Sequence, residues 1–359
     1  MRPARLFVSM FLGSALLPTV LVGAFSYVVD PHQYYRPSTF YYTNMRYLAP
    51  GLAKHIDYEV VVVGDSLSQN FIRSDIDRVF GQPGVNLSLS GSTLFEQRVV
   101  LENAIRTGKV RRVIWGVQPR VAGGLPDQTR DDEAFPAFMY DDNPFNDWPY
   151  LFNLDLIKLS LEKLRTGESK TPPDLDTLNA WFMNPRHRPD SDKVLKKFRL
   201  PAGSTDFVPD HLRLDRLTAN FEHNIMPMLQ AHPEVEFIIF IPPHSVLSHV
   251  LDQRARPALF ATLMAFQRHM FHRLTEAPNV RLFYFDAEPR VTHNLSNYKD
   301  LKHFGLHINR WILRAFSADA YRVTPDNRDK LLERFEAQVR AVDLDALTAT
   351  PAAPARKGG

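Results

Sequence analysis

Short runs of consecutive apolar residues recur along most of the chain, and longer stretches with helical spacing of apolar positions separate several of them. Strands that are buried on both faces read as continuous apolar runs, so the pattern predicts an α/β fold with a parallel sheet. The predicted strands are Glu59–Val63, Gly84–Leu87, Arg112–Val117, Val235–Ile241 and Val280–Phe285. The predicted helices are Leu94–Thr107, Leu212–His232 and Arg256–Glu276. Their lengths suit right-handed crossovers that cover both faces of the sheet.

One longer apolar stretch precedes this alternation. Residues 6–29 are 24 consecutive positions without a charged side chain, which is enough to cross a hydrocarbon core of roughly 30 Å. Arg2 and Arg5 precede it, so the positive-inside rule predicts a cytoplasmic N-terminus, with the remainder periplasmic or extracellular. Val22-Gly23-Ala24 also resembles a signal-peptide cleavage site. Because the apolar run continues to Val29, an uncleaved single-pass anchor in the cytoplasmic membrane is the favoured interpretation.

The remaining segments depart from the strand and helix pattern. Residues 30–57 form a membrane-proximal connector rich in tyrosine and proline, which suits either the lipid headgroup level or packing on the globular domain. The α/β domain covers residues 58–320, and its proline-rich stretch 122–211 is predicted as an insertion, either a wall or lid over the strand ends or a surface excursion. A C-terminal helix is predicted over 321–347 and a disordered tail over 348–359.

Composition excludes several classes of function. The formal net charge is only +3 and the basic residues form no dense patch, so nucleic-acid binding is not predicted. The chain contains no cysteine, which excludes disulfides, thiolate catalysis and cysteine-ligated zinc. A hydrophobic content of 44% is sufficient for a sizeable folded core.

The first predicted strand ends in Gly64-Asp65-Ser66 and so places a serine at the carboxyl edge of the sheet. The glycine lets the backbone turn sharply, and a helix starting after the turn would offer free N–H groups to an oxyanion. Ser66 is therefore a candidate nucleophile. The alternative is an ordinary strand-to-helix turn in which Asp65 or Ser66 caps the helix.

Further candidates follow the second and third strands, because open parallel sheets form their sites at the carboxyl ends of the strands. Gly91 is flanked by small residues, which allows a backbone N–H to approach a ligand as one arm of an oxyanion hole. Gln118 can donate to an oxyanion, and Arg120 can hold an anionic group of a substrate. Both side chains can equally be ordinary loop residues.

A base for Ser66 is predicted far downstream, where Asp300 and His303 are three residues apart. On a turn or a first helical turn they share a face, so the carboxylate can orient one imidazole nitrogen while the other faces the serine. His303 would then take the proton from Ser66 as its oxygen attacks an acyl carbon. The alternative is a metal site of Asp300, His303 and His307, although no His-Glu-x-x-His pattern accompanies them. Four further histidines are predicted to be surface or packed side chains: His244, His249, His269 and His272.

Taken in this order, Gly64-Asp65-Ser66, Gly91 and Asp300-x-x-His303 resemble the motifs of the SGNH (GDSL-type) hydrolase superfamily, over residues 58 to about 316. The resemblance implies a three-layer α/β/α, flavodoxin-like fold with a five-stranded parallel sheet. It also implies that Ser66 is the nucleophile, that Asp300 and His303 are the acid and base, and that no cofactor is needed. Gly91 would be the second oxyanion donor beside the backbone of Ser66.

One block of that family is different in this chain. The family's Gly-x-Asn-Asp is replaced by Gly116-Val117-Gln118-Pro119, so the oxyanion asparagine is missing and Gln118 or Asn70 are the possible substitutes. Loss of one oxyanion donor can lower a rate by about 10²–10³. A non-catalytic protein that uses this fold for binding or assembly in the cell envelope is therefore the alternative.

An anchor followed by an exported domain is similar to the D-alanyl-lipoteichoic acid transfer protein and to polysaccharide O-acetyltransferases of the alginate type. This resemblance implies a serine-dependent acyl hydrolase or O-acyltransferase that works through an acyl-serine intermediate. Its substrate would be an acylated glycan or lipid of the cell envelope, and envelope-assembly proteins are possible partners. Because a fold does not fix a substrate, these remain expectations.

Overall fold

The structure of the protein is a computed structural model that describes residues 3–40, 44–130, 134–167, 174–201, 203 and 206–349. These residues divide into two compact units. The first consists of the chain up to Ile56 together with Pro136–Asp174, and the second of Asp57–Phe135 together with the chain from Leu175 onward. The predicted insertion is therefore divided, with its middle in the first unit and its two ends in the second. Three predictions concern residues outside the described ones: Arg2, the tyrosines at 41 and 42, and the tail from residue 350.

The helices and strands have the following bounds. The helices are α1 (Pro3–Val29), α2 (Met45–His55), α3 (Arg73–Phe80), α4 (Leu94–Arg106), α5 (Trp148–Leu151), α6 (Leu154–Thr166), α7 (Ser191–Lys197), α8 (Leu214–Asn224), α9 (Met226–Ala231), α10 (Val246–Ala255), α11 (Pro257–Thr275), α12 (Pro289–Thr292), α13 (Leu306–Ser317), α14 (Arg328–Arg340) and α15 (Leu344–Ala349). The strands are β1 (Val60–Val63), β2 (Gly84–Asn86), β3 (Arg112–Gly116), β4 (Glu236–Ile241), β5 (Val280–Tyr284) and β6 (Arg322–Val323). Short 3-10 helices cover 119–122, 137–140, 144–146, 181–183, 185–187, 210–212 and 295–297.

The six strands form one mixed sheet in the order β2-β1-β3-β4-β5-β6. The first five are mutually parallel, and β6 pairs antiparallel with β5. All five predicted strands are present with ends within one residue of the prediction, which confirms an α/β fold. The prediction of a purely parallel, five-stranded sheet needs correction, because the edge strand β6 was not predicted. Two residues are too short for a period-2 pattern to be visible in the sequence.

Two of the helix predictions also need correction. The single helix predicted over Leu212–His232 is two helices, α8 and α9, with a break at Ile225. Pro227 lies in the first turn of α9, where its missing N–H and fixed φ are tolerated, whereas they would interrupt a continuous helix. The C-terminal helix predicted over 321–347 contains β6, α14 and part of α15. Pro325 separates β6 from α14 for the same reason.

The sheet is buried on both faces, which is why its strands read as continuous apolar runs. Val60 and Val62 belong to a core cluster that includes Ile308 and Ile312 of α13. Val61 and Val63, which point to the opposite face, have at most 1% of their surface exposed. Covered in this way, the strands hold the loops at their carboxyl ends in fixed positions.

The first unit contains α1, α2, α5 and α6. Residues Met10–Val29 of α1 are long and apolar enough to cross a membrane. Immediately after α1, the carboxylate of Asp30 accepts hydrogen bonds from the backbone N–H groups of Tyr34 and Tyr35, at 2.9 Å each, and from the hydroxyl of Tyr150 at 2.7 Å. This buried carboxylate therefore joins the connector to the segment that contains α5.

Candidate active site

The backbone turn after β1 requires glycine. Gly64 has a φ of +157°, and a Cβ atom at this position would collide with the hydroxyl of Ser68 and come within 2.9 Å of its Cβ. After it, the N–H of Leu67 donates to the Asp65 side chain at 2.9 Å and the N–H of Ser68 donates to the Asp65 carbonyl at 3.0 Å. These bonds define a tight turn that presents Ser66.

No helix starts directly after Ser66, so that part of the prediction needs correction. Residues 66–70 form turns, and α3 begins only at Arg73. The side-chain amide of Asn86, at the end of β2, donates to the carbonyls of Ser68, Gln69 and Phe71 at 2.8, 3.2 and 2.9 Å. These bonds hold residues 68–70 in a turn conformation. The positive end of a helix dipole is consequently not a feature of this nucleophile position.

Ser66, His303 and Asp300 lie together, in line and within hydrogen-bonding distance. The hydroxyl oxygen of Ser66 is 2.8 Å from Nε2 of His303. The Nδ1 atom of His303 is 2.9 and 3.0 Å from the two carboxylate oxygens of Asp300. This is the geometry of a serine, its general base and the carboxylate that orients the base.

A short turn, not a helix, brings Asp300 and His303 to one side. The N–H of Lys299 donates to the carbonyl of His303 at 2.9 Å, which closes a loop between Tyr298 and Phe304. Within this loop the backbone N–H groups of Lys302 and His303 both donate to Oδ1 of Asp300 at 2.9 Å. The three-residue spacing is therefore set by a carboxylate-capped turn.

Asp300 is held in its ionised form. Partial burial alone would raise the pKa of this carboxyl group, but the hydrogen bond and charge of His303, with the two backbone N–H donors, outweigh burial. The net result is a pKa well below the usual range of an aspartate. A permanent negative charge next to Nδ1 fixes the tautomer that leaves Nε2 free to accept a proton from Ser66.

Trp181, which sequence reasoning did not select, contacts both reacting residues. Its indole N–H donates to the backbone carbonyl of Ser66 at 2.8 Å. Its ring meets the ring of His303 edge to face, with centroids 5.7 Å apart at 90°. Trp181 comes from the later part of the predicted insertion, so this part of it lies against the site and does not form a separate excursion. No local pattern around position 181 marked it.

Two of the predicted oxyanion donors, the backbone N–H groups of Ser66 and Gly91, belong to residues that lie at one pocket. Ser66 and Gly91 line the same pocket. Among the described residues, no group accepts a hydrogen bond from the backbone N–H of Ser66 or of Gly91. Gly91 has a φ of +60°, and an added Cβ would come within 2.7 Å of the Arg130 guanidinium, so the position favours glycine. Two unpaired N–H groups at one pocket are suited to a developing oxyanion.

The other two predicted oxyanion donors, Gln118 and Asn70, have different surroundings from the two backbone donors. The side-chain nitrogen of Gln118 donates to the Asp65 carboxylate, and its oxygen lies 3.3 Å from Nε2 of His244. The side-chain oxygen of Asn70 accepts from the backbone N–H of Phe182 at 3.2 Å, its side-chain nitrogen is buried without a partner among the described residues, and Asn70 does not line the pocket. Sequence spacing placed both near Ser66 but could not show that Asp65 and His244 engage Gln118, or that Asn70 is not among the residues lining the pocket.

The positive charge at the pocket is divided between two residues. Arg120 lines it as predicted, but its guanidinium is paired with the buried carboxylate of Asp252. Lys302, which was not predicted, lines the same pocket, and no carboxylate forms an ion pair with it in the described structure. Burial, followed by the charge of Arg120, lowers the pKa of Lys302, against the opposing effect of nearby Asp65. Among the described arginine and lysine residues that line this pocket, Lys302 is therefore the one available to bind an anionic group of a substrate.

A second cluster joins this site through Gln118. Nδ1 of His244 and Nε2 of His249 both lie 3.1 Å from Oδ1 of Asp286, which is completely buried. Burial favours the neutral acid, but the two histidines outweigh it and hold the pKa of Asp286 well below its usual range. The potential ligand atoms of the three side chains lie within 4.8 Å of one another, which is close enough to share a divalent cation. His244 and His249 are thus packed histidines in a buried ionic cluster.

The other histidines have separate partners. His269 pairs with Glu222 at 2.8 Å and His272 lies 3.3 Å from Asp329, in agreement with surface positions. His307 contacts Asn297 at 2.9 Å. In His303, Nδ1 contacts Asp300 and Nε2 contacts Ser66, so both ring nitrogens have partners. This geometry gives no support to a metal site shared by His303 and His307.

No protein-family model matches the chain, and no curated protein matches it. A functional assignment therefore depends on the fold and on the side-chain geometry of the pocket.

Proposed function

We propose that the protein is a membrane-anchored serine acyl hydrolase or O-acyltransferase of the SGNH type, with a flavodoxin-like, three-layer domain. The observation that carries this proposal is the continuous contact from Ser66 through His303 to Asp300, with distances of 2.8 and 2.9 Å. The strand order places Ser66 where a doubly wound sheet reverses direction, between β1 and β3, which is the usual ligand position in such sheets.

In the proposed reaction, Oγ of Ser66 attacks an acyl carbonyl while Nε2 of His303 takes its proton. Asp300 stabilises the imidazolium that forms. The backbone N–H groups of Ser66 and Gly91 donate to the carbonyl oxygen as it becomes negative. His303 then returns the proton to the leaving group, giving an acyl-serine. Attack by water or by a sugar hydroxyl, with His303 again as the base, releases the acid or the new ester.

The proposed substrate is an acylated glycan or lipid of the cell envelope. Residues 6–29 would anchor the protein in the cytoplasmic membrane with its N-terminus in the cytoplasm, which places the second unit on the outer side. An enzyme that is held at this surface meets envelope polymers directly. Envelope-assembly proteins are the partners that this location suggests.

A second candidate function is non-catalytic binding of such a polymer. It is favoured by one observation, the hydrogen bonds that engage Gln118 with Asp65 and His244. With Gln118 engaged, the pocket offers two backbone donors to an oxyanion and no side-chain amide. Removing one such donor lowers rates by about 10²–10³ in a serine hydrolase.

The two functions are separated by reaction of the detergent-solubilised protein with a fluorophosphonate probe, which reacts covalently only with an activated serine. We expect the wild type to be labelled, and Ser66→Ala and His303→Ala to remain unlabelled. Ser296→Ala and His307→Ala are matched controls, because both residues are in the same unit and outside the contacts of Ser66. They should react like the wild type.

A folded wild-type protein that does not react would contradict the enzymatic proposal and favour the binding function. Labelling that persists in Ser66→Ala would show that a different serine reacts. Thermal unfolding of each variant establishes that the loss of labelling reflects chemistry and not loss of structure.

A further inference from the structure

Helix α6 in the first unit has three distinct faces. Its buried face consists of Leu156, Leu159, Ser160 and Lys163. Its charged residues Asp155, Lys158, Glu162 and Arg165 follow one another at spacings of three or four and share a second face. On the third face, Leu154, Leu161 and Leu164 have 73, 55 and 61% of their surface exposed. A helix of an ordinary water-soluble unit needs only one apolar face, so this one has an additional apolar face.

The exposed apolar surface continues before α6. Phe145 and Trp148 have 91 and 65% of their surface exposed, and Phe152 has 42%. Single exposed apolar residues are common, but six large ones within twenty consecutive positions mark an interaction surface. The charged face of α6 lies directly beside the leucines. The surface therefore suits a boundary between an apolar and an aqueous phase better than a uniformly apolar partner.

Contacts with α1 place this exposed apolar surface close to the C-terminal half of that helix. Helix α1 packs against both α5 and α6. Gly23 of α1 is covered by the ring of Phe152, since an added Cβ would lie 3.1 Å from it. The apolar segment Met10–Val29 ends at Val29, so Gly23 lies six residues, or about 9 Å along the helix, inside the outer end of the span if α1 crosses the membrane.

Basic side chains bind the backbone carbonyls at the C-terminal end of α1. The ammonium group of Lys163 donates to the carbonyls of Val29 and Asp30 at 2.9 and 3.4 Å, and Arg36 donates to the carbonyl of Val28 at 3.0 Å. Helix C-termini attract cations, and long basic side chains extend from apolar surroundings towards polar ones. The contacts of Lys163 thus hold α6 next to the polar, C-terminal end of α1.

We infer that α6 and the segment from Phe145 to Phe152 form an interfacial membrane element, with Leu154, Leu161 and Leu164 in the acyl boundary of the outer leaflet. The charged face of α6 remains in water, as in amphipathic helices that lie in the membrane interface. Trp148 is the type of side chain that is enriched at this level. This inference rests on the proposed membrane anchor α1 and extends it to a second contact with lipid.

Spin labels test this placement directly, because the chain contains no cysteine and each added one is unique. The full-length protein is reconstituted in vesicles of phosphatidylcholine and phosphatidylglycerol, with labels at Leu161→Cys or Leu164→Cys. Lys158→Cys and Glu162→Cys are matched controls on the charged face of the same helix, and Leu16→Cys reports on α1. All five positions are exposed on the protein surface, so labelling leaves the packing intact.

We expect labels at 161 and 164 to collide several-fold more often with oxygen, which concentrates in lipid, than with a water-soluble nickel chelate. Labels at 158 and 162 should show the opposite preference, and the label at 16 should resemble those at 161 and 164. If the nickel chelate reaches labels at 161 and 164 as often as the label at 158, the inference is overturned. Low access of both oxygen and the chelate to 161 and 164 would also overturn it, because that result indicates that a protein covers this face. Chelate access at position 16 would instead show that the anchor itself has failed.

Discussion

Asp300 and Lys302 are close neighbours in one short turn, yet their surroundings shift their pKa values by different mechanisms. Hydrogen bonds from His303 and two backbone N–H groups outweigh burial at Asp300 and keep it ionised. At Lys302, burial is the largest influence and lowers the pKa of the ammonium group. A fixed carboxylate and a partly desolvated cation therefore belong to the same turn as His303: the carboxylate orients the base, and the cation lines the pocket.

Replacing Asp300 by asparagine should remove the charge that fixes the tautomer of His303. We expect the rate of fluorophosphonate labelling in Asp300→Asn to fall by roughly 10³–10⁴, since an amide leaves the shape but reverses the tautomer preference. Asp329→Asn is a suitable control, because Asp329 also pairs with a histidine, His272, on the surface away from the site. Equal labelling of Asp300→Asn and the wild type would contradict the proposed role.

The same variant has a predictable effect on stability as a function of pH. The pKa of Asp300 is lower in the folded protein than its unfolded value of about 3.9, so ionisation stabilises the fold above that pH. This contribution is lost as the pH falls from about 4 towards the lowered folded pKa. Thermal unfolding should therefore show the largest difference between wild type and Asp300→Asn above about pH 5, and convergence below it. A difference that grows on acidification would show the opposite linkage.

Lys302 should contribute to affinity for an anionic substrate and not to the chemistry of Ser66. In Lys302→Met, we expect an approximately tenfold or larger increase in KM for an ester with a nearby carboxylate or phosphate, because one charge-assisted hydrogen bond of about 1.5–3 kcal/mol is lost. The kcat for a neutral ester should stay near the wild-type value. Lys193→Met, on the exposed surface of α7, is the control. Equal losses for charged and neutral esters would point to a structural effect.

At the scale of elements, the chain around 175–187 is part of the site although it contains no strand and only short helical turns. Asn179 donates to the carbonyl of Ser88 at 2.8 Å and accepts from the side chain of Gln69 at 2.8 Å. Trp181 then reaches Ser66 and His303. These contacts connect the loops after β1 and β2 to one another, so this segment helps to hold the turn that carries Ser66.

Trp181→Phe tests this positioning role. Phenylalanine keeps an aromatic ring beside His303 but cannot donate to the carbonyl of Ser66, so we expect labelling to slow by about fivefold, consistent with one net hydrogen bond of about 1 kcal/mol. Binding of a substrate that occupies the pocket should change less than the labelling rate. Trp148→Phe, which is exposed and belongs to the first unit, should react at the wild-type rate. Unchanged labelling of Trp181→Phe would remove the positioning role.

At the scale of the whole molecule, the chain enters the first unit twice. Tyr150, Leu156 and Leu159 come from the middle of the predicted insertion and are buried in that unit together with the chain before residue 57. A linear boundary at residue 57, as the sequence predicts, would therefore separate parts of one folded unit. The second unit is made of two stretches for the same reason.

Truncation experiments should reflect this organisation. Removing residues 1–56 alone should give a protein that aggregates, because it exposes the apolar surface of residues 136–174 to water. Removing residues 1–56 and also replacing 136–174 by a flexible linker should restore a soluble second unit with cooperative unfolding. Light scattering and thermal unfolding of the two shortened proteins provide the comparison. A soluble, cooperatively unfolding product of the simple truncation would contradict the division into two units.

Much of the α/β domain follows from local pattern. Continuous runs such as Val60–Val63 predicted each parallel strand to within one residue, because burial on both faces leaves little choice of side chain. Ser66, Gly91 and the pair Asp300 and His303 were found from residue type, spacing and position at strand ends. Gln118 and Asn70 show the limit, since their proximity was correct but their hydrogen-bond partners depend on the surrounding side chains.

Local sequence is sufficient to predict the strands, the glycine turn that presents Ser66, and an apolar stretch long enough to cross a membrane, because each depends on neighbours within a few residues. The three-dimensional structure was needed to show that Trp181 contacts Ser66 from 115 positions away, that Asp65 and His244 engage Gln118, and that the insertion is shared between two units. These features depend on contacts between distant segments. Such contacts leave no periodic signal in one sequence, because each involves a single side chain whose partner is selected by the packing of the whole unit.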